Sequence, residues 1–239
     1  MIFGASLADD GGPAPTLLVT AHPDDETMFF APSLLCLADT LELHILCLST
    51  GNFDGVGAVR ELELPRACAR LGVPPGRVSV LDDPQLRDGP HELWPAEHIA
   101  RVVEKVLVAC KAERIITFDA GGISRHANHT ATHAGVQLLA AQRQAQRPLR
   151  TYELRTLGLI RRHLGVIDVA VSLIGWWLGS MLTALAPSDG ASADALCVSL
   201  SPWKVHSAMV QHRSQYVWFR RLYLLVSRYV WLNTLVRTA

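Results

Sequence analysis

Residues 16–26, Thr16-Leu17-Leu18-Val19-Thr20-Ala21-His22-Pro23-Asp24-Asp25-Glu26, set three acids and a histidine directly after a short apolar run. Thr16 to Thr20 reads as a strand, so the polar cluster lies at its carboxyl end, where open α/β sheets bind their ligands. Carboxylates crowded beside an imidazole repel one another unless they share a cation or a proton. The stretch implies a metal site with one carboxylate left over to act as a base.

Working outward, Leu43 to Thr50, Arg77 to Leu81 and Arg114 to Asp119 read as further strands, and Leu149 to Leu154 as an additional one. Helical periodicity covers Glu26 to Ala38, Val59 to Leu71, Ala96 to Cys110 and His129 to Gln142. This alternation predicts an α/β fold, a Rossmann-like, mostly parallel sheet with helices on both faces. No Gly-x-Gly-x-x-Gly follows the first strand, so a dinucleotide site is not expected. The expected division is a flexible N-terminus over 1–15, an α/β core over 16–160, and an apolar, helical, membrane-associated region over 161–239 that completes the domain.

The charge balance, 22 basic against 22 acidic residues, gives no case for a nucleic-acid partner. Charged residues make up 18% of the chain, below the roughly 25% usual for soluble domains, which points to membrane contact. Five cysteines follow no ligand spacing and read as reduced, small hydrophobes. Met1 to Pro15 has neither the basic nor the apolar segment of a signal peptide or anchor. Leu164 to Ala186 has Asp168 as its only ionisable residue. That length is enough to cross a bilayer, which needs about 20 residues, and it equally suits a buried hairpin of core helices. A polar loop, Pro187 to Ala195, follows. From His212 to Leu235 the pairs Arg213/Ser214, Arg220/Arg221 and Ser227/Arg228 recur at seven-residue steps. On a helix they form a thin basic stripe beside a broad aromatic-aliphatic face, which suits a headgroup boundary or packs on the core.

His22 and Asp25, three apart at a strand-to-helix turn, can face one point and are ordinary zinc ligands. Asp24 must project differently and is free to work on water there, while Glu26 suits the positive end of a helix. The partner cluster follows the strand Arg114 to Asp119, in Gly121-Gly122-Ile123-Ser124-Arg125-His126-Ala127-Asn128-His129, with His133 one turn on. A facial His/Asp/His set with an open position fits catalytic zinc. Spacing leaves both His126/His129 and His129/His133 open as the pair, and His133 reads as a helix residue beside the core.

These residues resemble the N-acetylglucosaminyl-phosphatidylinositol de-N-acetylase (PIG-L) family. The matching pieces are Ala21 to Glu26, Gly57-x-x-Arg60-x-x-Glu63-Leu64, Phe118 to His129 and His212-Arg213-Ser214-Gln215, and the likeness runs from about Leu17 to Leu235. Trp218 to Tyr223 resembles the eukaryotic branch that acts in glycosylphosphatidylinositol (GPI) anchor synthesis. The resemblance implies His22, Asp25 and His129 as ligands of Zn2+ or another divalent metal. It makes Asp24 the general base and sets His126 against the reacting amide, where a protonated imidazole would stabilise the oxyanion. Arg60 is a candidate for the inositol phosphate, or else pairs with a nearby glutamate. Arg125 stands where the family usually has glycine and would meet a phosphate or simply be exposed, and His212 is taken as substrate-binding.

The implied reaction removes acetate from N-acetylglucosaminyl-phosphatidylinositol, the second step of GPI-anchor biosynthesis, at the cytosolic face of the endoplasmic reticulum membrane. The expected partners are this glycolipid and a membrane surface. The animal members' N-terminal anchor has no counterpart in these residues, so attachment is expected through 164–186, the C-terminal helix or a partner. Spanning by 164–186 would put His212 across the membrane from the metal, so a re-entrant or surface-lying segment is expected. The rivals are a soluble deacetylase of N-acetylglucosaminyl-inositol or a related acetyl-sugar, and a non-catalytic membrane-bound partner protein.

Overall fold

The computed structural model describes residues 1–4, 14–89, 91–145, 147–185 and 194–238. Its strands are β1 (Ile2–Gly4), β2 (Thr16–Thr20), β3 (Leu43–Cys47), β4 (Val78–Val80), β5 (Arg114–Phe118), β6 (Arg150–Leu154), β7 (Ala195–Val198) and β8 (Leu232–Arg237). The helices of the first half are α1 (Asp25–Met28), α2 (Ala31–Leu37), α3 (Gly57–Arg70), α4 (Ala96–Ala109), α5 (Gly122–Arg125) and α6 (Ala127–Arg143). Those of the second half are α7 (Leu159–Arg162), α8 (Ile167–Leu185), α9 (Pro202–Met209) and α10 (Trp218–Val226).

The strands form one sheet in the order β1-β7-β8-β6-β5-β2-β3-β4. From β4 to β6 every pairing is parallel, with Leu17 opposite both His44 and Ile115. Both β2 and β5 are buried along their whole length, as apolar runs in a sheet covered on two faces should be. The chain winds from β2 out to β4, then returns to β5 on the other side of β2. That reversal opens a crevice at the carboxyl ends of β2 and β5, the place where such sheets hold ligands.

Four expectations are corrected. The helix Glu26 to Ala38 is two helices, interrupted at Phe29 and Phe30, because Pro32 has no N–H to continue a helix and suits a first turn. The N-terminus is not wholly flexible: Ile2–Gly4 pairs antiparallel with β7, while residues 5–13 lie outside the described residues. The long C-terminal helix does not form. After α10 the chain makes a short 3₁₀ turn over Arg228–Val230 and enters the sheet as β8, antiparallel between β6 and β7. Arg228 is therefore not part of an exposed stripe; it is buried, with Nε 2.5 Å from Asp168 Oδ2.

The apolar segment is helix α8, and among the described residues no helix is long and apolar enough to cross a membrane. Asp168 is wholly buried and also takes Arg161 Nε at 2.8 Å, which pins the start of α8 to the body. Val169 packs with Leu196, Val198 and Leu232, while Ile174, Trp177, Leu178 and Met181 face outward. The polar loop expected after α8 falls largely on residues 186–193, outside the described residues. All five cysteines are unbridged.

Candidate active site

The turn after β2 is held in a strained shape. Asp24 has φ +133°, a backbone region that non-glycine residues rarely occupy and that clusters at functional sites. Ile123 and Arg125, in the facing turn, are also left-handed at φ +64° and +59°. Asp25 Oδ2 accepts the backbone N–H groups of Ala21 (3.0 Å) and His22 (2.8 Å), and its Oδ1 lies 3.2 Å from His129 Nε2. Burial opposes its charge, but positive charge at His129 and His22, with these donors, outweighs burial and holds the carboxyl well below the usual range.

Asp24 lies between two arginines. Arg60 Nη2 is 3.2 Å from Oδ1 and Arg220 Nη2 is 3.3 Å from Oδ2. Burial pushes its pKa up, Arg60 and Arg220 pull it down, and Asp25 pushes again, leaving it raised. Asp24 is thus a carboxylate of heightened basicity. Arg60 is buried and also donates to the carbonyls of Pro23 (2.6 Å) and Gly51 (2.9 Å). Gly51, at φ +66°, has no side chain, and a Cβ there would sit 2.5 Å from the guanidinium. This corrects the assignment of Arg60 to the inositol phosphate: its charge is committed to Asp24. Nor is its partner a glutamate, since Glu63 accepts the Ser214 N–H at 2.9 Å and its hydroxyl at 2.6 Å.

The second turn follows β5. Asp119 Oδ1 accepts the N–H groups of Gly121 and Gly122, closing the loop before α6. Gly122 has φ +51°, and a Cβ there would stand 3.0 Å from the Cβ of His129. Its carbonyl instead meets His129 Nδ1 at 3.2 Å, and Phe118 stacks on the same ring at a centroid distance of 4.1 Å. His126 caps α6, its Nδ1 accepting the Asn128 N–H at 3.3 Å. Arg125 is exposed at the mouth.

These contacts test whether a metal fits. His129 Nδ1 donates to the Gly122 carbonyl, which leaves a lone pair on Nε2. That buried Nε2 has no hydrogen-bond partner and faces a carboxylate oxygen at 3.2 Å. Two lone pairs so placed repel unless a cation lies between them. Two ligands of one zinc, each roughly 2.0–2.1 Å from it, stand roughly 3.3 Å apart in a tetrahedron, matching this separation. The ring nitrogens of His22, His126 and His129 converge within 4.8 Å of one another, and His22 Nδ1 is 3.8 Å from Asp25 Oδ2. The donors fit a divalent ion.

His126 differs from the other two. Burial, then His129 and His22, push its pKa down to about 4, so it is neutral near pH 7. Because Nδ1 accepts the Asn128 N–H, the proton sits on Nε2, which makes the ring a neutral donor. The neutral ring, rather than the protonated form that the sequence leaves conditional, is the one this setting favours.

His212 does not line the opening. It is wholly buried, with Nε2 2.7 Å from Glu26 Oε1, and Glu26 Oε2 in turn accepts the Asp24 N–H at 3.1 Å. Glu26 is therefore more than a helix start: with His212 it supports Asp24 from beneath. His133 sits beside the core as expected, bound to Glu153 at 3.1 Å. Two site residues were missed. Asp88 Oδ1 lies 3.1 Å from His22 Nε2, from a loop with no spacing that ties it to the histidine. Arg220 was read only as part of the membrane stripe.

The family model PIG-L, GlcNAc-PI de-N-acetylase, matches residues 17–140, which include both turns. The chain belongs to the PIG-L family. Among its PIG-L relatives is the N-acetylglucosaminyl-phosphatidylinositol de-N-acetylase of Bos taurus, 38% identical over 226 residues, covering 94% of this chain and 84% of the relative. A probable enzyme of the same name from Schizosaccharomyces pombe is 34% identical over 225 residues, covering 92% and 86%. Among solved structures, the zinc-inhibited form of teicoplanin deacetylase Orf2 aligns with a TM-score of 0.60 at 12% identity, covering 94% of this chain and 97% of that one. At that identity the likeness shows the fold alone, and its coverage takes in the antiparallel half of the sheet.

Proposed function

We propose that this chain hydrolyses the N-acetyl group of N-acetylglucosaminyl-phosphatidylinositol, giving glucosaminyl-phosphatidylinositol and acetate. The observation that carries the reading is Asp24, a buried carboxylate held between Arg60 and Arg220 beside the His22/Asp25/His129 donor set. The names of the PIG-L relatives supply the substrate.

His22, Asp25 and His129 would hold the ion, and zinc suits two imidazoles and one carboxylate with an open position. A bound divalent ion supplies Lewis-acid polarisation of an amide carbonyl and lowers the pKa of water towards about 7. Asp24 takes the proton from the attacking water and passes it to the departing amine. The Nε2–H of His126 donates to the amide oxygen, a hydrogen bond that strengthens as negative charge develops there. Asp88 holds His22 in orientation.

Beside Asp88 opens a polar cleft of about 340 Å³ lined by Asn52, Asp82, Asp83 and Glu92 among others. Its carboxylates outnumber its one cation, Arg87, and suit sugar hydroxyls better than a phosphodiester, so the glycan enters there and the phosphate stays outside. Arg125 is the exposed cation at the mouth available to that phosphate. The setting is the cytosolic face of the endoplasmic reticulum membrane, and the outward apolar residues of α8 support a membrane surface there.

The test is acetate release from the lipid-linked and the lipid-free glycan, with and without chelator. Metal-dependent release from the lipid-linked glycan is expected. Release from the lipid-free glycan alone would replace this reading with a soluble acetyl-sugar deacetylase, and release from neither would end it.

A further inference from the structure

Helix α10 has two faces with different business. Inward, Arg220 places Nη2 3.3 Å from Asp24 Oδ2 and donates from Nη1 to the Gln215 carbonyl at 3.2 Å. Arg60 occupies the other oxygen of Asp24 and is fixed by two backbone carbonyls close to the turn. Arg220 is different: it reaches Asp24 from a helix far along the chain, and Leu224 is that helix's buried residue. Outward, Trp218, Phe219, Leu222 and Leu225 are more than half exposed. This face continues onto Leu159, Ile160, Val166 and Ile167, since Gly165 lies so near the end of α10 that a Cβ there would touch the Val226 and Leu225 carbonyls at 3.4 and 3.6 Å.

The charge around the face identifies what covers it. From Ala195 to Ala239 the chain has no aspartate or glutamate but six lysines and arginines. Arg213 and Arg221 are exposed at the border of the face, and Arg221 lies over the Tyr216 ring at 4.4 Å. An exposed aromatic-aliphatic face bordered by arginine, whose one neighbouring acid in sequence, Asp168, is buried and paired with Arg161 and Arg228, complements an anionic phospholipid surface.

We infer that α10 is an interfacial element: its apolar face seats on an anionic lipid surface, and seating it holds Arg220 as the positioning residue of Asp24. The inference rests on the deacetylase reading, and it adds that the lipid surface is an activator as well as the place where substrate resides. Asp24 receives one arginine from its own neighbourhood and one from the surface-facing helix, so the order of α10 sets the orientation of the carboxylate.

The experiment uses the full chain loaded with zinc and a water-soluble N-acetylglucosaminyl-inositol, so that the substrate brings no membrane. Substrate-free vesicles of phosphatidylcholine with phosphatidylinositol are then added. We expect kcat to rise several-fold while KM changes by less than about twofold, since positioning acts on the chemical step. The ratio of kcat with vesicles to kcat without falls to near one in Leu222→Ser/Leu225→Ser and in Arg220→Gln, and Arg220→Lys recovers part of it. Unchanged kcat in the wild type, or a normal ratio in Arg220→Gln, overturns the coupling. Co-sedimentation with the vesicles reads docking without activity: the wild type binds and Leu222→Ser/Leu225→Ser does not. Equal binding by both overturns α10 as the docking face, whereas hydrolysis of no glycan at all counts against the deacetylase reading alone.

Discussion

His212 Nε2 lies 2.7 Å from Glu26 Oε1, and neither side chain reaches solvent. Residues 186 positions apart thus meet directly under the catalytic turn. Burial opposes a charge on His212, but Glu26, then Asp24 and Glu63, outweigh it and raise its pKa. The two side chains form a close, buried hydrogen-bonded pair. Removing one partner leaves the other buried and unpaired, so His212→Ala should cost about 3–5 kcal/mol of stability in urea unfolding. Glu26→Leu/His212→Leu should cost less than the two single changes added together, because neither leaves an orphan charge.

Asp24 and His129 separate in their effects. Asp24→Asn should keep the bound metal and lower deacetylation by about 10²–10⁴-fold, the usual worth of a general base. His129→Ala should lose both metal and activity. Metal content by mass spectrometry, beside acetate release, checks the pair. Undiminished turnover in Asp24→Asn would remove Asp24 as the base.

Chelation should abolish turnover reversibly. Incubation with a zinc chelator, followed by its removal, should leave an inactive folded chain that one equivalent of zinc restores. Circular dichroism before and after reads the fold, and lasting activity in the chelated chain would rule out the metal role.

The ion pair of His133 with Glu153 gives a pH dependence away from the metal donors. The Glu153 hydrogen bond, against burial, raises the His133 pKa above its ordinary value. Stabilisation from this pair is complete below about pH 6.5 and is lost as pH rises through the raised folded value. The Tm of the wild type should therefore fall between about pH 6 and pH 9, and His133→Gln should flatten that slope. An identical slope in the variant would show that the pair contributes nothing.

A tag placed after residue 239 should be digested in sealed microsomes as readily as the catalytic core, because β8 is hydrogen-bonded between β6 and β7. Protection of the tag alone would contradict the sheet order.

The parallel half of the sheet was legible because its strands are short apolar runs ending in turn residues, and both catalytic turns lie at their carboxyl ends. The antiparallel half was not. Leu232 to Leu235 falls inside the expected helix because the pairs Arg213/Ser214, Arg220/Arg221 and Ser227/Arg228 recur at seven-residue steps, a spacing that carries no information about distant partners. Arg228 answers to Asp168, sixty residues earlier, and Asn233 binds Ser33 through its N–H at 3.0 Å and its hydroxyl at 2.7 Å. In the site, the residue types of the two motifs announced metal chemistry, but the roles of Arg60 and His212 depended on contacts made only on folding. Asp88 and Arg220 carry no local pattern and become visible only through His22 and Asp24.

The position of β8 bears on how the chain is made. Residues 155–231 must be synthesised after β6 before β8 can pair with it. At about 5–20 residues per second, that leaves the edge of β6 open for on the order of 4–15 s on the ribosome. An open strand edge is a template for another chain. The nascent protein therefore carries both catalytic turns for several seconds before the strand that completes its sheet exists, and shielding of that edge during translation becomes a condition for its yield in cells.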